Sequence, residues 1–152
     1  MNDDERAIWP SPLYADLVDE IRRLGRRKAT HYAGAQLDGS AFSILLVLSD
    51  GRSRTLRELS LELELEQSTI NRQVNAAIKR GYLERYDVPG QVSRLIRPTV
   101  LGAQAFHDDG MLRVDRFNRI FDDLSPGTPE ALLRELRAYN DAYDRAVDHE
   151  AR

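Results

Sequence analysis

The sequence predicts a mainly α-helical chain with one small β hairpin, on three observations. Apolar residues recur at helical spacing along most of its length. Glycine and proline signals cut that pattern into helices of ordinary size. Beyond Gly81, two short β-prone runs flank a Val88-Pro89-Gly90 turn.

Leu13, Leu17, Val18, Ile21 and Leu24 repeat at helical spacing behind a Ser11-Pro12 start, and predict a first helix that extends toward Tyr32 or past it. Asp38-Gly39-Ser40 then interrupts the chain. Phe42 to Leu48 is apolar on nearly every side, which predicts a short, fully buried helix with Ser40 as N-cap and Gly51 near its C-terminus. From Leu59 to Glu66 leucines alternate with polar residues, as in a half-buried strand. Leucine and glutamate favour helix, however, and Leu56, Leu59 and Leu63 also form a helical stripe after Thr55, a fitting N-cap. The expectation is a helix from Leu56 to Leu63, a turn at Glu64 to Glu66, and a second helix from Gln67 to Arg80 ended by Gly81. Tyr82 to Tyr86 and Ser93 to Arg97 read as two strands joined by the Pro-Gly turn, a wing directly after a helix pair. Thr99 can cap a long helix running past Phe106 to Leu124, with Gly102 and Gly110 leaving its continuity open. Ser125-Pro126-Gly127 stops it. Thr128-Pro129-Glu130 starts a last helix, with Thr128 as the capping hydroxyl and Pro129 at the first helical position. Leu132, Leu136, Tyr139, Tyr143 and Ala146 there form a seam suited to another helix. Together these elements make a winged helix-turn-helix with added helices at both ends.

A chain of 152 residues, 41% hydrophobic and 31% charged, has globular composition and fits one domain. The absence of cysteine excludes disulfide frameworks, thiolate metal sites and thiol redox sensing. Asp3, Asp4 and Glu5 precede Arg6 where a secretory signal would be basic, and the longest apolar run, Ile44 to Leu48, is far too short for a bilayer. The expectation is a cytoplasmic protein with no membrane partner. The formal net charge of −3 argues at first against nucleic acid. Its distribution argues the other way, because Arg52 to Arg97 holds nine basic and six acidic residues, leaving +3 there and −6 elsewhere.

In a helix-turn-helix the first helix braces a second that enters the DNA major groove. Here the polar face of the second helix offers Gln67, Ser68, Thr69, Asn71, Arg72, Asn75 and Lys79, with Arg54 and Thr55 ahead of the first. Arginine can pair with guanine, asparagine with adenine, and serine, threonine and lysine with phosphates. A solvated helix face is the plain alternative. No catalytic set competes. His31, His107 and His149 are far apart and outside any metal-binding motif, although Asp108 and Asp109 could join His107 around a metal as a lesser reading. Ser68 lacks a nucleophile-elbow context, and no glycine-rich loop suits a phosphate. Neither an enzyme nor a cofactor is expected.

The runs Thr55-Leu56-Arg57-Glu58-Leu59, Gln67-Ser68-Thr69-Ile70-Asn71-Arg72 and Arg80-Gly81-Tyr82-Leu83-Glu84-Arg85, with Thr99 and Gly102 after them, resemble the multiple-antibiotic-resistance regulator (MarR) family in order and spacing. The resemblance implies a homodimeric transcriptional regulator that binds double-stranded DNA at a pseudo-palindromic operator as a ligand-responsive repressor. A protein-interaction module without DNA binding is the alternative. It further implies one domain over residues 1–152, with 11–34 and 99–150 as dimerisation helices around a DNA-binding core at 40–98. A small-molecule effector site between these parts would draw on His31, Tyr32 and Phe42. One departure stands out, because Gly90-Gln91-Val92 occupies the place of the family's Asp-Arg-Arg wing run. Arg94 lies two residues beyond Val92, on the same side if the segment is a strand, and is the substitute for the wing arginine.

Overall fold

The structure, a computed structural model, describes residues 9–27, 32–90 and 92–150. It divides into two compact units, residues 1–109 and 110–152.

In the first unit, α1 spans Pro12–Arg27 and buries only Ala15, leaving Leu13, Leu17, Ile21 and Leu24 exposed. The helix does not continue through Tyr32: residues 33–34 form a turn in which Gly34 has φ +84°. The second helix, α2, spans Gly39–Val47 and is followed by a 3₁₀ turn at Leu48–Asp50. Its N-cap is Asp38, whose carboxylate accepts the Ala41 N–H at 2.9 Å, and not Ser40, whose hydroxyl donates to that same carboxylate. One carboxylate oxygen, with its several lone pairs, satisfies both groups at once, and the other accepts from Arg80. Nor is α2 fully buried. Ala41, Ile44 and Leu45 face the core while Leu46 is 55% exposed, because a helix lying on a small core keeps an outer side whatever its composition.

The next helix, α3, spans Leu56–Glu62 and opens on a capping box: Thr55 accepts the Glu58 N–H, and the Glu58 carboxylate accepts the Thr55 N–H at 2.7 Å. Leu59 is buried whereas Leu61 is 69% exposed, the pattern of a helix and not of the alternating strand. Glu64 turns the chain at φ +52°, and α4 follows at Gln67–Lys79 with Ile70, Val74 and Ala77 buried. Gly81, at φ +79°, ends it.

Strands β1 (Leu83–Tyr86) and β2 (Leu95–Pro98) pair antiparallel, with Glu84 opposite Arg97 and Arg85 opposite Ile96. The Arg54 backbone exchanges two hydrogen bonds with Ile96, so β2 is held from both sides. The long helix α5 is continuous over Val100–Asp122, through Gly102 and Gly110. Thr99 caps it by accepting the Gly102 N–H at 3.0 Å and ties it to the preceding turn by donating to the Gly81 carbonyl. Asp109, buried, accepts the backbone N–H groups of Gln36 and Leu37 at 2.9 Å each, anchoring the lead-in to α2. The core lies between α2, α3, α4 and the wing base, around Ile44, Leu45, Leu59, Ile70 and Ile96.

The second unit holds the rest of α5 and α6, Thr128–Glu150. The Ala131 N–H bonds to the Gly127 carbonyl, so α6 starts one residue earlier than expected, with Thr128 and not Pro129 at the first helical position. No residue of α6 is buried, and Leu132, Leu136, Tyr139 and Tyr143 are exposed. On α5, Met111, Val114, Phe117 and Ile120 are exposed as well. None of the described helices is long and apolar enough to cross a membrane.

Candidate nucleic-acid interface

The buried stripe of α4 turns its opposite side to solvent. Gln67, Asn71, Asn75 and Lys79 follow one another at intervals of four along that side, beside Ser68 and Arg72. All six are exposed, whereas Thr69 is half-buried. Glu66, the residue before α4, makes no side-chain cap, so the first N–H groups of the helix are left without that partner. Of the basic residues in this region, Arg57, Arg72 and Lys79 form no ion pair among the described residues.

A cleft of about 240 Å³ opens beside this face, lined by Thr55, Leu56, Arg57, Gln67, Arg85, Ser93 and Arg94. It brings Thr55, Gln67 and Arg94 of the expected set together with two arginines that sequence reasoning left out. Arg57 stands in the first turn of α3, and Arg85 projects from β1 to donate to Asn71 Oδ1 at 2.9 Å. Strand alternation was the available signal for Arg85, since it must face away from Glu84 and Tyr86.

Arg54 is a correction. Its side chain is 5% exposed, and its guanidinium bonds to Asp50 (2.5 and 2.8 Å), Glu62 (3.1 and 3.4 Å) and the Arg52 carbonyl (2.7 Å). The planar fork matches two carboxylates here, which leaves it nothing to offer a phosphate. Hydrogen bonds from this guanidinium hold the Asp50 carboxyl well below the usual carboxylate range, and Asp50 and then Glu62 raise the Arg54 pKa in turn. Thr55 is engaged by Glu58 through both its hydroxyl and its backbone N–H, and those bonds lower the Glu58 pKa.

Arg94 also departs from expectation. β2 begins only at Leu95, so strand alternation does not relate Val92 to Arg94. Val92 is fully exposed, and Arg94 pairs with Asp87 at 3.0 Å across the turn. Arg97 is paired too, with Glu84 at 2.6 Å and over the Tyr86 ring at 4.6 Å.

Of the effector candidates, His31 lies outside the described residues, and Tyr32 is half-buried. Phe42 packs on Phe106 at 4.9 Å and onto the core. A separate depression of about 510 Å³ counts Leu45, Leu48, Phe106, Arg52 and Arg97 among its lining residues. Asp108 accepts from Gln104 and Gln36, and Asp109 from two backbone amides. Among the described residues no cluster of three or more histidine and acidic side chains is placed to hold a metal.

The helix pair, its hairpin and the braced polar helix define a winged helix-turn-helix protein. Residues 35–91 match the model of the MarR family. No curated protein matches the sequence. Among solved structures, the chain is similar to wild-type MarR of E. coli in its apo form (19% identity, 86% of this chain and 98% of that one covered, TM-score 0.70). It is similar to FabT of Streptococcus pneumoniae in complex with DNA (14%, 88% and 96%, 0.69). A third likeness is to BpsR of Bordetella bronchiseptica, whose DNA binding is regulated by 6-hydroxynicotinic acid (17%, 82% and 98%, 0.66).

Proposed function

We propose that this chain is a sequence-specific, DNA-binding transcriptional regulator of the cytoplasm. It acts without catalysis, as a homodimeric repressor released from a pseudo-palindromic operator by a small-molecule effector. The observation that carries this is the exposed face of α4. Six side chains able to contact base edges or phosphates stand there on a helix braced by α3 and flanked by a wing. The likeness to FabT in complex with DNA supports it.

Dimerisation has its support in the apolar side chains that α1, α5 and α6 leave in water, more than single scattered positions account for. Residues 11–34 and 99–150 are the dimerisation elements, and 40–98 the DNA-binding core. The effector has its support in BpsR and in the depression lined by Leu45, Leu48 and Phe106, where Arg52 suits a small amphipathic anion.

Selection of bound sites from random duplex DNA tests the proposal. A two-fold consensus with half-sites about one helical turn apart, bound with a steep salt dependence, is the expected result. Binding that is flat with salt, or equal for all sequences, turns the assignment toward a protein-interaction module.

A further inference from the structure

We infer that Arg85, on the wing strand, sets the base preference of the recognition helix by occupying the acceptor side of Asn71, so that Asn71 meets DNA as a donor and selects guanine over adenine. This rests on the DNA-binding role proposed above and adds to it the residue that decides one base.

Three facts carry the inference. Arg85 Nη2 lies 2.9 Å from Asn71 Oδ1, and a guanidinium has donors only, so the amide atom facing it is the oxygen. That contact removes the ambiguity in amide orientation that an unpartnered asparagine has. The second lone pair of the same oxygen faces Asn75 Nδ2 at 3.4 Å, a longer contact that leaves Arg85 as the partner fixing the amide. Asn71 itself is exposed, midway along the polar stripe between Gln67 and Asn75. What it has free toward a ligand is the amino group.

The strand behind Arg85 is well held. Arg85 sits opposite Ile96 in the hairpin, and Ile96 exchanges two backbone hydrogen bonds with Arg54. The donor therefore comes from a clamped strand and not from a loose loop.

Base chemistry gives the consequence. Asparagine reads adenine by accepting from N6 and donating to N7 together, which needs both ends of its amide. With Oδ1 engaged, the adenine amino group would face no acceptor. Guanine shows N7 and O6, both acceptors, and a donor alone satisfies that edge.

The test is a set of operators carrying each base pair in turn, bound by the full-length protein and by variants at one salt concentration. Asn71→Ala locates the base pair concerned, as the one whose preference it erases. Wild type is expected to favour guanine over adenine there by about five-fold or more, from the usual discrimination of a good base contact. Arg85→Met, which keeps the aliphatic stem and removes the donors, should bring that ratio to one or reverse it toward adenine. Arg85→Lys should retain the guanine preference. Ratios between operators cancel any general loss of affinity, and retained helical circular dichroism shows that each variant is folded. An adenine preference in the wild type, an unchanged ratio in Arg85→Met, or no position answering to Asn71→Ala overturns the inference while leaving DNA binding intact. A wild type that selects no sequence at all removes the DNA-binding role itself.

Discussion

The carbonyl of Tyr82 occupies the space that a side chain on Gly102 would need: a Cβ there would overlap the Tyr82 carbonyl oxygen and approach its carbonyl carbon closely. The first turn of α5 is thus laid directly on the backbone that leads into the wing. The Thr99 N–H bonds to the same Tyr82 carbonyl at 3.0 Å, and the Thr99 hydroxyl to Gly81. Gly102→Ala should therefore destabilise the fold by about 3 kcal/mol, the upper range for forced overpacking, because backbone and not a flexible side chain must move. Thermal or denaturant unfolding measures it. A loss below about 0.5 kcal/mol, the range of an inconsequential surface change, would show that the junction yields easily.

Arg54 links Asp50, before the wing bridge, to Glu62, at the end of α3. Removal of this buried guanidinium in Arg54→Ala should lower stability by about 1.5–3 kcal/mol, the usual worth of hydrogen bonds to charged groups. The folded fraction should keep its base preference. Full stability combined with lost DNA affinity would reinstate Arg54 as a DNA contact.

Acid sensitivity follows from Asp50 and two further carboxylates. Arg54 holds Asp50 low, and the Thr55 backbone and hydroxyl hold Glu58 low. Partial burial works against Asp38, but Ser40, the Ala41 N–H and Arg80 outweigh it and leave its pKa lowered too. A group whose folded pKa is depressed adds stability above its unfolded pKa, and that stability is lost as pH falls through the folded one. Stability should thus be level from neutral pH down to about 5 and fall progressively below that, as unfolded carboxylates take up protons. Asp50→Asn should flatten that fall in denaturant titrations at stepped pH; an unchanged slope would show that the pair adds nothing.

The recognition helix and the wing should respond differently to mutation. Arg72 is exposed and without an ion pair among the described residues; under the DNA-binding role proposed above, Arg72→Ala should cost about 1–3 kcal/mol of binding and relax one position per half-site. Arg94 is held by Asp87 in the protein alone. Arg94→Ala should weaken binding across sequences and erase a preference for A·T-rich flanks, while Asp87→Asn, which frees the guanidinium, should tighten it and steepen the salt slope. Equal affinity of all three wing forms would mean that the wing has no minor-groove role.

The local elements were legible because their causes are local. Thr55 three residues before Glu58, Gly81 after a periodic helix, and Thr99 three residues before Gly102 each complete a hydrogen bond or a turn within a few residues. Of the alternating leucines, Leu59 and Leu61 resolved as helix on residue type, and the burial of Leu59 beside the exposure of Leu61 agrees. Even locally, competition misled: Ser40 is a capping type, but Asp38 Oδ1 takes both the Ala41 N–H and the Ser40 hydroxyl, so Asp38 is the cap.

By itself the sequence determined which segments are helices, where the hairpin turns, and that α4 has a polar side. Those outcomes depend on periodicity and on backbone preferences that each residue carries with it. Only the tertiary structure decided which polar residues remain available. Arg54 looked like a phosphate contact and is enclosed by two carboxylates, Asp109 looked like a metal ligand and caps amides about seventy positions away, and Asn71 has its acceptor taken by a strand fourteen residues on. A side chain's type states what it can bond with. Which partner it finds depends on the path of the backbone through the packed core, and no spacing along the chain records that.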